Sequence, residues 1–197
     1  MQKEFYVLSQ KYSNYAQAIR DNNQMNVTIC EKCGAVFETR KVEKFRVHFS
    51  GKKEGDYYFA PICSIVSDRM IDVLKKENVT GFELQEIVCT GWTDNKVKAI
   101  YINSERYKEL KITGRAGYLR NLNGTYINKC DKCGAKGDIY SENASGLMVD
   151  DEWDGSDMFY FKNWDGVIIV TKKVKDVLEA NKMKNVSFEP LETFQFA

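Results

Sequence analysis

Four cysteines are the residues best suited to chemistry. Cys30 and Cys33 stand in CEKCGA at 30–35, and Cys130 and Cys133 stand in CDKCGA at 130–135. Two thiols three positions apart on a tight turn can share one tetrahedral metal. A glycine after the second thiol lets the backbone turn with positive φ and aim amide N–H groups at the sulfurs. Each phrase supplies two ligands and a structural zinc takes four, so two knuckles make one four-cysteine site. Apart from its own pair, the stretch 95–197 holds no Cys or His with which to close a site alone. A single shared zinc site formed by Cys30, Cys33, Cys130 and Cys133 is therefore expected. Four protein thiolates leave no coordination position for water or substrate, which makes such a metal structural. Competing readings of the same residues are a redox dithiol, two disulfides, or iron in place of zinc. The dithiol reading wants a helix directly after CxxC to lower a thiol pKa, and neither phrase offers one.

Other chemistry-bearing residues are sparse. Cys63 in APICSIVS and Cys89 in QEIVCTGW sit alone in apolar runs and read as small buried hydrophobes. His48, the one histidine, alternates with Phe45, Val47 and Phe49 in a strand pattern and has no nucleophile beside it. No GxGxxG, P-loop or HExxH occurs. A metabolic enzyme with a small-molecule substrate is not expected. The stretch VDDEWDGSD (149–157) concentrates Asp150, Asp151, Glu152 and Asp154 around Trp153. Such a stretch is either a solvated acidic loop or a contact surface for a basic protein partner, with Trp153 as an aromatic anchor.

The elements that must position the cysteines come in two sets. VSDRMIDVLKKENVTGFELQEI (66–87) lies without gaps on VTKKVKDVLEANKMKNVSFEPL (170–191), apolar on apolar at Met70/Val174, Val73/Val177, Leu74/Leu178 and Leu84/Phe188. Ser67 and Thr171 precede these apolar stripes as N-caps, and alternating strands follow. At the front of each half, YVLSQKY (6–12) lies on YINSERY (101–107). Before each helix runs a strand-rich segment, DYYFAPICSIV and DMFYFKNWDGVIIV. The expected fold is α+β: a tandem duplication of a strand, CxxCG hairpin, strands, helix, strand unit. The halves, 1–94 and 95–197, pack together around the shared site, since nothing between them resembles a linker.

Bulk properties narrow the function. In 197 residues, 43% are apolar and 13% aromatic, far from a disordered composition. The 29 basic residues nearly cancel the 28 acidic ones, so no overall field draws the chain to nucleic acid or to an anionic membrane. The nearest basic run, RKVEKFR (40–46), is short. The opening residues lack a secretory h-region, and no apolar run approaches the roughly 18 residues of a membrane span. A cytoplasmic protein is expected.

The two CxxCG phrases, their placement in matched halves and the VSDRMIDVLKKENVTGFELQEI ending together resemble the double-CXXCG proteins of bacteria. That family is associated with immunity proteins that neutralise polymorphic toxins. The resemblance implies a cytoplasmic antitoxin without catalysis that binds the toxic domain of a cognate effector. It carries over only Cys30, Cys33, Cys130 and Cys133, with Gly34 and Gly134; toxin-binding residues are not transferred. A zinc-ribbon-like nucleic-acid binder or regulator is the other class of function that the residues allow.

Overall fold

Strands dominate the structure. The computed structural model describes residues 3–11, 14–22, 24–41, 43–127, 129–135 and 146–195. In chain order the elements are β1 (Phe5–Ser9), β2 (Gln17–Arg20), β3 (Met25–Ile29), β4 (Val36–Arg40), β5 (Phe45–Ser50), β6 (Tyr57–Ala60), β7 (Cys63–Ser67) and α1 (Asp68–Lys76). There follow β8 (Phe82–Thr93), β9 (Tyr107–Ile112), β10 (Gly114–Ala116), β11 (Arg120–Asn121), β12 (Leu147–Met148), β13 (Met158–Phe161), β14 (Trp164–Thr171), α2 (Lys172–Ala180) and β15 (Ser187–Pro190). The fold is mixed α+β, with strands far outnumbering helices.

Six strands form one sheet in the order β2-β5-β8-β9-β7-β6, and its edge strands β2 and β6 approach each other, so that the sheet nearly closes. Strict alternation in β5 explains the inside of this curl. Phe45, Val47 and Phe49 are fully buried, while Arg46, His48 and Ser50 are half-buried. Phe49 stacks on Trp92 with centroids 4.4 Å apart, and Tyr58 and Tyr107 meet Phe49 at 5.1 and 5.6 Å. Aromatic rings thus fill the curl by area and by edge-to-face packing. A second, five-stranded sheet has the order β10-β13-β14-β1-β15.

The two sheets exchange a strand. β1 lies between β14 and β15, whereas β9 lies between β7 and β8. The registers correspond: Phe5 faces Thr171 as Tyr107 faces Ser67, and Leu8 faces Phe188 as Leu110 faces Leu84. The structural counterpart of β1 is therefore β9. This departs from the front alignment expected above, which placed 6–12 on 101–107. Tyr101 is almost fully exposed outside any strand, and Tyr12 lies outside the described residues. Aromatic spacing misled because YVLS and YINS share letters, while strand partnership depends on which edges are open. Because each half completes the other's sheet, the two sides of the 94/95 boundary pack together as one body.

Helices α1 and α2 each run nine residues and pack on each other, α1 also on β7 and α2 on β14 and β1. Met70, Leu74, Val174 and Leu178 are fully buried in a shared core with Leu8, Tyr57, Val66, Met158 and Val170, while Val73 and Val177 are half-buried. Ser67 caps α1 by accepting from the Met70 amide at 3.3 Å. Thr171 holds the matching position but makes no side-chain cap; its hydroxyl donates to Asp157 at 3.1 Å instead. Two carboxylates clamp the helix pair. Asp56 accepts from Ser67 Oγ, Arg69 and the Lys184 amide, each at 2.7 Å, tying the start of α1 to the loop after α2. Asp157 accepts from Lys173 at 2.9 Å and the Thr80 amide at 3.1 Å, tying the start of α2 to the loop after α1.

Candidate metal centre

The first cysteine phrase is the turn of a two-stranded ribbon. β3 and β4 pair antiparallel from Met25↔Arg40 to Ile29↔Val36, and residues 30–35 cross between them. Cys30 N–H donates to Ala35 O at 2.9 Å and Gly34 N–H to Cys30 O at 2.8 Å. The second phrase repeats this: Cys130 N–H donates to Ala135 O at 2.9 Å and Gly134 N–H to Cys130 O at 2.8 Å. Gly34 and Gly134 have φ of +71° and +73°, a left-handed turn that a Cβ would strain. At Gly134 a Cβ would also stand 3.2 Å from the Tyr118 ring.

The two knuckles meet. All four Sγ atoms lie within 4.8 Å of one another, and Cys33 Sγ is 3.6 Å from Cys133 Sγ. Tetrahedral zinc with bonds of about 2.3 Å sets sulfurs roughly 3.8 Å apart, so the donor set fits that geometry. A disulfide, at about 2.05 Å, does not describe it, and all six cysteines are free. The first knuckle leads into β4 rather than into a helix. The position that would lower a thiol pKa in an oxidoreductase is thus not built at that knuckle.

Charge arrangement follows the same pairing. Cys30 is held down to about 6, chiefly by the Cys33 amide and then the Lys32 amide, and Cys130 is lowered likewise by the Cys133 and Lys132 amides. At Cys133 the Ala135 amide favours the thiolate, but burial and the hydrogen bonds from the other three thiols outweigh it and push the group up to about 12. Cys33 is raised against its own Ala35 amide, by burial and by its hydrogen bonds with Cys130 and Cys30. Four sulfurs this close cannot all ionise without a cation among them, and a divalent ion removes that obstacle.

Reciprocal ion pairs register the knuckles. Lys32 reaches Asp131 at 2.7 Å and Lys132 reaches Glu31 at 2.5 Å. Both pairs are exposed, so each contributes at most about 1 kcal/mol, and their service is to fix which knuckle faces which. The base of the first ribbon is anchored more firmly. Arg40 makes a bidentate pair with Glu109 of β9 at 2.7 and 2.8 Å, with the carboxylate almost wholly buried. Beside the second knuckle, Lys129 lies 4.0 Å over the Tyr118 ring. The alternation of acid and lysine in CEKC and CDKC was a visible signal for the crossed pairs; nothing in the sequence linked Arg40 to Glu109.

The remaining candidates are placed as follows. Cys63 is buried in the aromatic core and burial pushes its thiol up, while Cys89 packs half-buried against the same core. His48 lies 3.0 Å from the Thr93 hydroxyl. The acidic stretch is largely neutralised from within. Asp150 pairs with Arg120 at 2.8 Å, and Glu152 pairs with Lys162 at 2.5 Å. Asp154 accepts from the Arg115 amide at 2.8 Å and from Ser156. Asp151 is exposed and makes no ion pair with a described residue. Trp153 is half-buried, edge-on to Phe5 at 5.1 Å with Lys3 over its ring at 4.3 Å, and lines an open cleft of about 480 Å³ with Leu122, Met148 and Glu192. No helix among the described residues is long and apolar enough to cross a membrane.

Compared with known proteins, the chain matches no family model and no curated protein. The four cysteines therefore define the site by their own geometry: a four-thiol group able to hold a metal ion, drawn from both halves of the chain.

Proposed function

We propose that the protein is a non-catalytic binding protein of the cytoplasm, an immunity protein that neutralises a cognate bacterial toxin domain, with one structural zinc clamping its two halves. The observation that carries this reading is the convergence of four thiols from two knuckles a hundred residues apart. A set closed by four protein thiolates suits scaffolding and leaves no place for a reactant. The immunity role rests on the resemblance of the doubled CxxCG phrases. We read the matched registers of β1 and β9, and the matched clamps of Asp56 and Asp157, as the product of a tandem duplication.

Arg40, the first cation of the short basic run, is turned inward to Glu109, which removes support from the nucleic-acid reading. A toxin-binding face around Trp153 would rest on Asp151 and the ring itself, since the neighbouring acids are already paired. The test is co-expression with any toxin-like domain found encoded beside this chain. Wild-type protein should restore growth, and reversing the charge at the exposed Asp151, Asp151→Lys, should weaken rescue while zinc content and melting temperature hold. If wild-type protein gives no protection and retards labelled DNA or RNA in a salt-dependent way, the nucleic-acid class replaces this one.

A further inference from the structure

From the β3–β4 ribbon we infer that the protein self-associates weakly, two copies pairing β3 against β3 antiparallel across a two-fold axis at Val27. This inference is independent of the immunity reading. β3 carries MNVTI, five residues with no charge, proline or glycine. Among the described residues the ribbon is a two-stranded sheet, and β3 has no partner but β4. Unprotected edges of this kind are templates for another strand, and soluble proteins ordinarily blunt them with lysine, proline or a bulge.

The backbone phase defines what the edge offers. Cys30 N–H bonds to Ala35 O, and Lys41 N–H bonds to Gln24 O at 3.0 Å. With the register Met25↔Arg40 to Ile29↔Val36, hydrogen-bonded pairs in an antiparallel ladder alternate. Asn26 and Thr28 therefore spend their amides and carbonyls on β4, and those of Met25, Val27 and Ile29 point outward. The same three residues share one face with Val36, and on it Val27, Ile29 and Val36 are 55%, 60% and 60% exposed.

The register of this edge is self-complementary. Centring the pair on Val27 sets Met25 against Ile29 of the other copy, apolar on apolar, with no like charges opposed. The charged groups of β4 are occupied elsewhere, Glu38 by Arg20 at 2.9 Å and Arg40 by Glu109. The net charge of +1 opposes no approach at long range. Five residues a side is far below the roughly 20–30 of a standard interface, so the dimer is a weak one, forming at micromolar concentrations and above.

Sedimentation velocity of zinc-loaded protein across a roughly hundredfold span of concentration around that range tests the inference. A reversible monomer–dimer equilibrium is expected. Val27→Lys and Val27→Glu should each be monomeric, because the residue faces itself across the axis, and their mixture should dimerise again. Val27→Pro removes only an outward N–H, so it should keep the ribbon and its zinc yet abolish the dimer. The inference is overturned by a wild-type chain that stays monomeric throughout, by an unchanged dimer in Val27→Lys, or by a lysine–glutamate mixture that remains monomeric. Loss of the dimer in Val36→Lys with retention in Val27→Pro would also overturn it, since face packing would then hold the copies together.

Discussion

Cys33 Sγ and Cys133 Sγ stand 3.6 Å apart, each at the tip of a turn belonging to a different half of the chain. Neither knuckle holds a complete ligand set, so a substitution in one should empty the site in both. One zinc per chain is expected by elemental analysis, with Cys33→Ser and Cys133→Ser losing it alike. Metal binding of this type is worth on the order of 10 kcal/mol in zinc peptides, and chelation should lower the melting temperature markedly. Iron in the purified protein would change the metal assignment; two metals per chain would defeat the shared site.

Loading the site should release protons unevenly. With its group near 6, Cys30 is already a thiolate at neutral pH, while Cys133, near 12, still carries its proton. Fewer than one proton per sulfur should leave at neutral pH, and metal affinity should rise with pH. Calorimetric titration in buffers of different protonation enthalpy counts them.

Acid should loosen the helix pair through Asp157. Burial opposes its ionisation, but the Lys173 ammonium, the Thr80 amide and the Thr171 hydroxyl hold its pKa below the ordinary carboxylate value. The folded pKa lies below the unfolded one, so this contribution is complete above the unfolded value of about 3.9 and is lost as pH falls through the folded value. Asp157→Asn should lower stability at neutral pH and flatten the decline that sets in below about pH 4, measured by urea unfolding at each pH.

Glu109 is the carboxylate whose loss should hurt most. Glu109→Gln leaves the Arg40 guanidinium, itself mostly buried, without its counter-ion and should cost roughly 3–5 kcal/mol by urea denaturation. Arg40→Met with Glu109→Leu removes both charges and should be far milder. A double variant as damaging as the single one would show that the pair contributes net stability.

Truncating the helix core should cost alike on both sides. Leu74→Ala and Leu178→Ala each open a cavity in the same cluster and should destabilise by roughly 2–5 kcal/mol. An effect confined to one of them would argue against the shared core.

The cysteine site was legible in the sequence because metal chemistry demands particular residues at particular spacing, and tertiary context cannot disguise CxxCG. Both helices were legible because Met70/Leu74 and Val174/Leu178 keep helical spacing behind a cap residue. Strand identity was legible, strand partnership was not. The apolar run in YVLS says that a strand is buried but not that β14 and β15 will flank it. The acidic stretch shows the same limit: Arg120 and Lys162, which neutralise Asp150 and Glu152, lie far enough away in sequence that only the fold brings them together.

Placing β1 between β14 and β15 also constrains how the protein can be made. Ser9 accepts a hydrogen bond from Ser187, 178 positions downstream, so Phe5–Ser9 leaves the ribosome long before its neighbours on either side exist. The nascent chain can complete the curl of β5, β8 and β9 early, whereas the five-stranded sheet must wait for translation to pass residue 190. Pairings this distant raise contact order and slow folding, and they leave an apolar strand bare during synthesis, where a chaperone would find it.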